Sequence, residues 1–335
     1  MAGEKQAPRL WMPQHWPAWL LLGCLRLLAP LPWSLLLWGG RWLGRVMFHL
    51  VPVRRAVTLR NLELCFPALT AKERRRLARR CYESFGMGAM EALISYYSPP
   101  ARFAGRYTIE GVEHLEAARA AGRGVLLLSA HFHTIEVSGY IANLHRPLSA
   151  FYRNPNHPVF AHEILRLRTR RLHRMFRADD LKGAVRALRE GDMLWYAPDQ
   201  GKRIKDSVVA PFFGVPAVTN VATGKVARLG RALVIPWGAV RERKDGRWHY
   251  RITIGAPLPE LPEDPVAEGT AINAVIERFV RAAPEQYLWQ HKRFKKRGPE
   301  YPDVYAGMKQ AWCRGRESPW RFAPESRGDC SLGPL

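Results

Sequence analysis

Three regimes of apolar patterning follow one another along the chain. In the first, "WPAWLLLGCLRLLAPLPWSLLLWGG" at positions 16–40, the residues are almost wholly apolar apart from Arg26. A helix over 19–38 would measure about 30 Å, one hydrocarbon core. Arg26 near mid-membrane would cost about 2.5 to 3.5 kcal/mol, and Pro30 and Pro32 break or kink a helix. A single spanning helix, a bent hairpin lying in one leaflet and a buried core helix all fit the pattern. No small-residue cleavage motif follows, so the segment is expected to be a retained anchor rather than a signal peptide. Its tryptophans, Trp11, Trp16, Trp19, Trp33, Trp38 and Trp42, suit a headgroup zone.

The second regime, "PALTAKERRRLARRCYESFGMGAMEALISYY" from Pro67, predicts a long basic helix. Thr70 and Glu73 have capping-box spacing, and Leu77, Cys81, Phe85, Leu93, Ile94 and Tyr97 recur with helical period. In the third regime, from Tyr107 on, short strand patterns alternate with helical ones, which predicts an α/β fold: a largely parallel central sheet flanked by helices, with the N-terminal hydrophobic membrane anchor added. Strands are expected at 124–130, 148–153, 193–198, 232–240 and 249–255, and helices at 135–144, 158–175, 181–190, 219–229 and 266–282. The domain reading is an anchor and basic flank over 1–60, an α/β domain over 61–301, and an irregular tail over 302–335 rich in Pro, Gly and Arg.

Charge sharpens this picture. With 52 Lys and Arg against 29 Asp and Glu, the net charge is +23, which calls for an anionic partner: nucleic acid, a membrane surface or an acidic protein. Zinc-finger spacing, a glycine-flanked aromatic RNA-binding signature and a basic zipper are all missing, so nucleic acid is not an expected partner. Arg41, Arg45, Arg54, Arg55 and Arg60 follow the apolar segment, whereas Lys5 and Arg9 precede it; the positive-inside rule then puts the rest of the chain in the cytoplasm. Arg74, Arg75, Arg76, Arg79 and Arg80 are expected on anionic headgroups. The five cysteines, without C-x-x-C spacing, read as reduced thiols rather than a disulfide or zinc framework.

Candidate chemistry concentrates in "SAHFHTIEVSGY", Ser129 to Tyr140, directly behind the apolar "GVLLL". Ligand sites of open α/β sheets lie at the carboxyl ends of the strands, which is where His131 falls. Glu136 is five residues on. A continuous helix would turn the two side chains about 140° apart, whereas a turn after His131 would fold Glu136 back onto the imidazole. A carboxylate there fixes the tautomer and supports the imidazolium that forms when the ring takes a proton from a hydroxyl. Three other readings stay open on spacing alone. His133 and Glu136 can form an i, i+3 surface pair. His131, His133 and Glu136 can hold zinc or iron in a metal-dependent hydrolase. The histidines can also be merely structural.

The order of "RNLELCFP", "SAHFHTIEVSGY", "FYRNPNHPVF", "GDMLWYAPDQG", "APFFGVPAVT" and "APEQYLWQHKRFKKR" resembles the late acyltransferases of lipid A biosynthesis, the lauroyl and myristoyl transferases within the lysophospholipid acyltransferase superfamily. The likeness runs to about Tyr301. It implies a membrane-anchored enzyme at the cytoplasmic face of the inner membrane that moves a fatty acyl group from acyl carrier protein to a hydroxyl of a lipid A precursor, with no cofactor, no metal and no acyl-enzyme. It also implies His131 as the base and Glu136 as its orienting partner. Arg168 would bind an oxyanion or an acceptor phosphate, Arg153 in "FYRNPNHPVF" substrate, and Asp199 in "YAPDQG" would fix Arg168 or the pocket. "FFGVPAVT" would line or support the pocket, with Gly214 and Pro216 shaping a turn before the helix from 219. Lys202, Arg203 and Lys205, where many relatives continue differently after the Pro-Asp pair, leave the acceptor open; the runner-up is an acyltransferase of another glycolipid that uses acyl-coenzyme A.

Overall fold

The structure, a computed structural model, describes residues 10–152, 156–201 and 207–308. Arg153, the cations Lys202, Arg203 and Lys205, and most of the tail expected to be irregular lie outside the described residues.

The apolar N-terminal segment folds as two helices, α1 (Trp16–Leu28) and α2 (Trp33–Leu50), with Pro30 and Pro32 in the break. Proline lacks the N–H that would continue the first helix, and its fixed φ suits the entry to the second. Among the described residues no helix is long and apolar enough to cross a membrane, which removes the single spanning helix from the three readings of this segment. The positive-inside argument falls with it, because that rule orients spanning helices. One stripe of α2 (Trp33, Leu36, Leu37, Phe48) is buried, while Trp38, Trp42, Val46 and Leu50 remain exposed, as do Trp16, Leu20 and Leu27 of α1.

The stretch read as a basic flank is itself helical. In α3 (Pro52–Cys65), Val57, Leu62 and Cys65 are buried, an apolar stripe that the flanking arginines obscure in the sequence. The long basic helix is α4 (Ala71–Tyr97), and it opens on the expected capping box: Glu73 N donates to Thr70 Oγ1 at 3.3 Å, and Thr70 N donates to Glu73 Oε2 at 2.8 Å. Helices α2 and α4 meet backbone to backbone. A Cβ on Gly86 would sit 2.0 Å from the Gly40 carbonyl oxygen, and one on Gly44 would sit 2.0 Å from that of Tyr82. Only glycine allows this approach, which Glu83 reinforces by accepting from Arg41 Nε at 2.7 Å and Arg45 Nε at 2.6 Å.

Strand β1 (Tyr107–Glu110) and helix α5 (Val112–Ala120) lead into the central strand β2 (Val125–Leu128), followed by α6 (Ile135–His145), β3 (Leu148–Tyr152) and α7 (Pro158–Thr169). Then come β4 (Met175–Arg177), α8 (Leu181–Arg189), β5 (Met193–Tyr196), β6 (Ser207–Phe212), β7 (Val215–Asn220) and α9 (Ala222–Gly230), with β8 (Leu233–Lys244), β9 (Arg247–Ile254) and α10 (Pro265–Ala282) completing the chain of elements. The seven-stranded sheet has the order β1-β9-β8-β2-β5-β3-β4 and is parallel except between β8 and β9, in line with the expected largely parallel α/β fold. All four β2 residues are buried, Val125 and Leu127 in the core beneath α2, α5 and α6, and Leu126 and Leu128 in the core beneath α8, α9 and α10. Helices on both faces explain why β2 reads as a continuous apolar run.

Two expectations shift. The helix expected over 158–175 ends at Thr169, and Met175–Arg177 adds an edge strand beside β3. The helix expected from 219 begins at Ala222, because "FFGVPAVT" belongs to the β6–β7 hairpin. Phe213 (φ 51°) and Gly214 (φ 74°) form its two-residue turn, and positive φ at both positions is what the twist of a tight hairpin demands.

Gly86→Ala is expected to force α2 and α4 apart at a cost of about 1–3 kcal/mol, read as a lowered midpoint in chemical denaturation. Gly39→Ala on α2, where nothing lies within 4 Å of the added methyl, is expected to be neutral or stabilising by up to ~1 kcal/mol in the same assay.

Candidate active site

Strands β2 and β5 are parallel neighbours, with Leu128 opposite Tyr196, so the residues that follow them emerge on the same rim of the sheet. Ser129 N extends the ladder to the Tyr196 carbonyl at 2.9 Å. Beyond it the chain turns sharply: Phe132 N reaches back to the Ala130 carbonyl and Ile135 N to that of Phe132, which starts α6. His131 sits at the crest of this turn and Asp199 lies just past β5, and the two meet. His131 Nδ1 lies 2.6 Å from Asp199 Oδ1, and the His131 backbone N–H donates to Oδ2 at 3.0 Å. A carboxylate only accepts, so Nδ1 carries the proton and Nε2 is left for a substrate.

Asp199 is 1% exposed while the His131 side chain is 27% exposed, so the carboxylate is sealed beneath the ring that it holds. Burial alone would raise the Asp199 pKa; the charge of His131 and its ring and backbone hydrogen bonds outweigh that and bring it down to about 2. The Tyr287 hydroxyl also lies against this carboxylate, and burial pushes the phenol well above its ordinary range. Segment 286–288 straps the turn in place. Leu288 N donates to the His131 carbonyl at 3.0 Å, His133 N donates to that of Gln286 at 2.8 Å, and Phe132 bridges to Tyr287.

The expected Glu136–His131 hydrogen bond is therefore replaced. Nδ1 is occupied by Asp199, and Glu136, at the start of α6, is held by Arg168 of α7 through Nη2 and through Nε at 3.4 Å. Asp199 fixes the imidazole rather than Arg168. Burial works against the charge of Arg168, but Glu136 and the hydroxyl of Tyr96 more than offset it and hold its pKa above the ordinary guanidinium value. Tyr96 is itself pushed up, first by burial and then by the charge of Glu136.

His133 points away from both pairs. It is buried, with Nδ1 3.0 Å from Ser84 Oγ and Nε2 3.4 Å from Gln290 Oε1, and burial followed by the charge of Arg241 pushes its pKa down to about 3. It is neutral near pH 7 and knits the turn to α4. Beneath it, Arg241 of β8 reaches Glu91 at 3.1 Å, and Tyr250 donates to Glu91 at 2.7 Å. Burial raises Glu91 to about 7 in spite of both. His131, His133 and Glu136 thus go to three different partners instead of converging as metal ligands, and among the described residues no group of three or more His, Cys, Asp or Glu is placed to hold a metal.

His131, Glu136, Arg168 and Tyr96 face a cavity of about 620 Å³ whose remaining lining is mainly apolar, with Ile135, Leu148, Phe151, Met175, Trp195 and Val226 among the walls. The Trp195 ring stands edge-on to the imidazole, centroids 5.8 Å apart. An imidazole with one nitrogen open on an apolar cavity, with a guanidinium in the same lining, suits proton removal from an alcohol carried by an apolar substrate. Tyr96, Tyr287 and Gln286 escaped the sequence reading, although "APEQYLWQ" was singled out. Only the fold shows that 286–288 crosses above β2.

A family model described as bacterial lipid A biosynthesis acyltransferase matches residues 4–296. The chain is 33% identical over 294 residues to the lipid A biosynthesis lauroyltransferase of Escherichia coli, covering 88% of this chain and 96% of that protein. It is 34% identical over 289 residues to the lipid A biosynthesis palmitoleoyltransferase of the same organism, covering 85% and 93%. To a lipid A biosynthesis acyltransferase of Haemophilus influenzae it is 32% identical over 305 residues, 89% and 96% of the two chains.

A carboxylate whose folded pKa is depressed stabilises the fold above its unfolded pKa, and that stabilisation fades as pH falls toward the folded value. The stability difference between the wild type and Asp199→Asn is therefore expected to be largest at neutral pH and to shrink between the ordinary aspartate value of 3.8 and about 2. Urea denaturation of both proteins across that range measures it.

Proposed function

The chain belongs to the bacterial lipid A biosynthesis acyltransferase family, and from that premise we propose that it moves a fatty acyl group from acyl carrier protein to a hydroxyl of a lipid A precursor, using His131 as general base. The observation that carries this reading is the buried Asp199 under His131 at the mouth of an apolar cavity. The substrate hydroxyl donates to His131 Nε2 and attacks the thioester carbonyl carbon. A C–O bond forms while the proton passes to the ring, and Asp199 stabilises the imidazolium through Nδ1. The tetrahedral intermediate then breaks its C–S bond, and the imidazolium returns the proton to the leaving thiolate. The products are an ester and a free thiol, and no acyl-enzyme forms.

Glu136 works at one remove in this scheme. It anchors the Arg168 guanidinium at the cavity wall, where a fixed positive charge can stabilise the oxyanion or grip an acceptor phosphate. A net charge of +23 suits an acidic carrier protein and a phosphorylated lipid alike. The exposed apolar residues on α1 and α2 provide a face for the inner membrane, on its cytoplasmic side, with no need for a spanning helix. Relatives are named for lauroyl, palmitoleoyl and myristoyl groups, so family membership leaves the length of the transferred chain open.

His131→Ala is expected to lower kcat by about 10²–10⁴ in an assay of purified enzyme with acyl carrier protein thioesters and a lipid A precursor. Asp199→Asn is expected to approach the same loss, because an amide has one acceptor oxygen where the carboxylate offers two to the His131 ring and backbone N–H, and it carries no charge to stabilise the imidazolium. Glu136→Gln and Arg168→Lys should each impair transfer while leaving the wild-type pH profile in place. Full activity of both His131→Ala and Asp199→Asn would overturn the assignment of the base. Faster transfer from acyl-coenzyme A than from the carrier would replace the donor.

A further inference from the structure

The cavity beneath His131 straddles the rim of the sheet in two arms. Alternation along the strands separates them, since Ala150 and Phe151 of β3 point to opposite faces, as do Trp195 and Tyr196 of β5. Tyr140, Leu148 and Leu172 line the arm beside α6; Leu181, Tyr196 and Val226 line the arm beside α8 and α9. The α6 arm runs well below the rim. Its lowest residue, Leu148, pairs with Met193, which pairs with Val125, so it lies three residues below Leu128, roughly 10 Å at the rise of a strand.

Gly139 faces Leu148 at this floor. It sits in the middle of α6, where glycine weakens a helix. Nothing crowds its missing side chain: a Cβ built there meets only Leu148 Cδ2, at 3.9 Å, an ordinary contact. Gly40, Gly44 and Gly86 differ, since backbone atoms fill the space where their side chains would be. The absence of a side chain at 139 thus leaves volume to the cavity instead of allowing two elements to pack.

We propose that the α6 arm holds the acyl chain of the donor and that Gly139, facing Leu148, sets the longest chain that the enzyme accepts. The inference rests on the acyl-transfer reading above and adds its chain-length determinant. In a thioester the reacting carbon is the end of the chain, so the donor needs a blind arm that begins at His131. The acceptor is a phosphorylated lipid far larger than its reacting hydroxyl, and its bulk requires an open passage. An arm that starts at His131 and ends on buried Leu148 meets the donor's requirement.

The test is a ladder of saturated acyl carrier protein thioesters of increasing length, run with wild type, Gly139→Ala and Gly139→Leu. Each methylene that no longer fits a hydrophobic pocket changes kcat/KM by about 10–200-fold, so the leucine variant is expected to lower kcat/KM for the longest wild-type donor at least ~10-fold relative to shorter ones. The alanine variant should shift the same way by less, while its thermal midpoint stays equal or rises, which separates specificity from damage to the fold. A donor-length profile identical to that of wild type in both variants overturns the inference and leaves the acyl-transfer reading intact. A shift confined to acceptors of different chain length would assign the arm to the acceptor and equally overturns it. Failure of the wild type to use any thioester on the ladder defeats the underlying reading itself.

Discussion

A carboxylate almost wholly out of water has to be answered by hydrogen bonds and opposite charge, or it does not stay ionised. Asp199 is answered by one backbone N–H, one imidazole and one phenol, from two places far apart in the chain. Meeting that demand fixes the rest of the rim. The turn after β2 must present both the N–H and the ring of His131, and the segment with Gln286, Tyr287 and Leu288 must lie across it. The ring is aimed by the needs of the acid beneath it, and this frees its other nitrogen for the cavity.

Two acid–base pairs stand side by side with different electrostatic characters. His131 and Asp199 form a pair in which the carboxylate occupies one ring nitrogen and leaves the other open to the cavity. Glu136 and Arg168 form a pair that keeps its charges, the guanidinium being stabilised by the acid and by Tyr96. A site for acyl transfer needs both kinds: a group that moves a proton, and a fixed charge that meets the negative oxygen without reorganising.

Local pattern was enough to place β2, α4 with its cap, most strands of the sheet and His131 at a strand's end. It was not enough to pair His131 correctly. Glu136 is five residues away and Asp199 is 68, and nothing in the spacing of either reveals that β5 runs beside β2 with Leu128 opposite Tyr196. The same blindness to strand neighbours hid β4 and the β6–β7 hairpin, whose Phe213 adopts a backbone conformation that its side chain disfavours. In the N-terminal segment, hydrophobicity alone left a spanning helix, a leaflet hairpin and a buried helix open; one stripe of α2 goes into the core while much of the rest stays exposed, and the two prolines mark the break between the helices. Family resemblance marked His131, Glu136, Arg168 and Asp199, and it gave His131 the partner Glu136 where the fold gives it Asp199.

The glycine seam between α2 and α4 has a mechanical side. Helix α4 carries Gly86 on the seam and, two residues earlier, Ser84, which touches His133 two residues beyond His131. Helix α2 and the turn that carries His131 therefore both rest on one helix. Whatever covers the exposed tryptophans of α2 is thereby set at a distance from the imidazole that one helix determines, so outer face and catalytic rim share a single ruler.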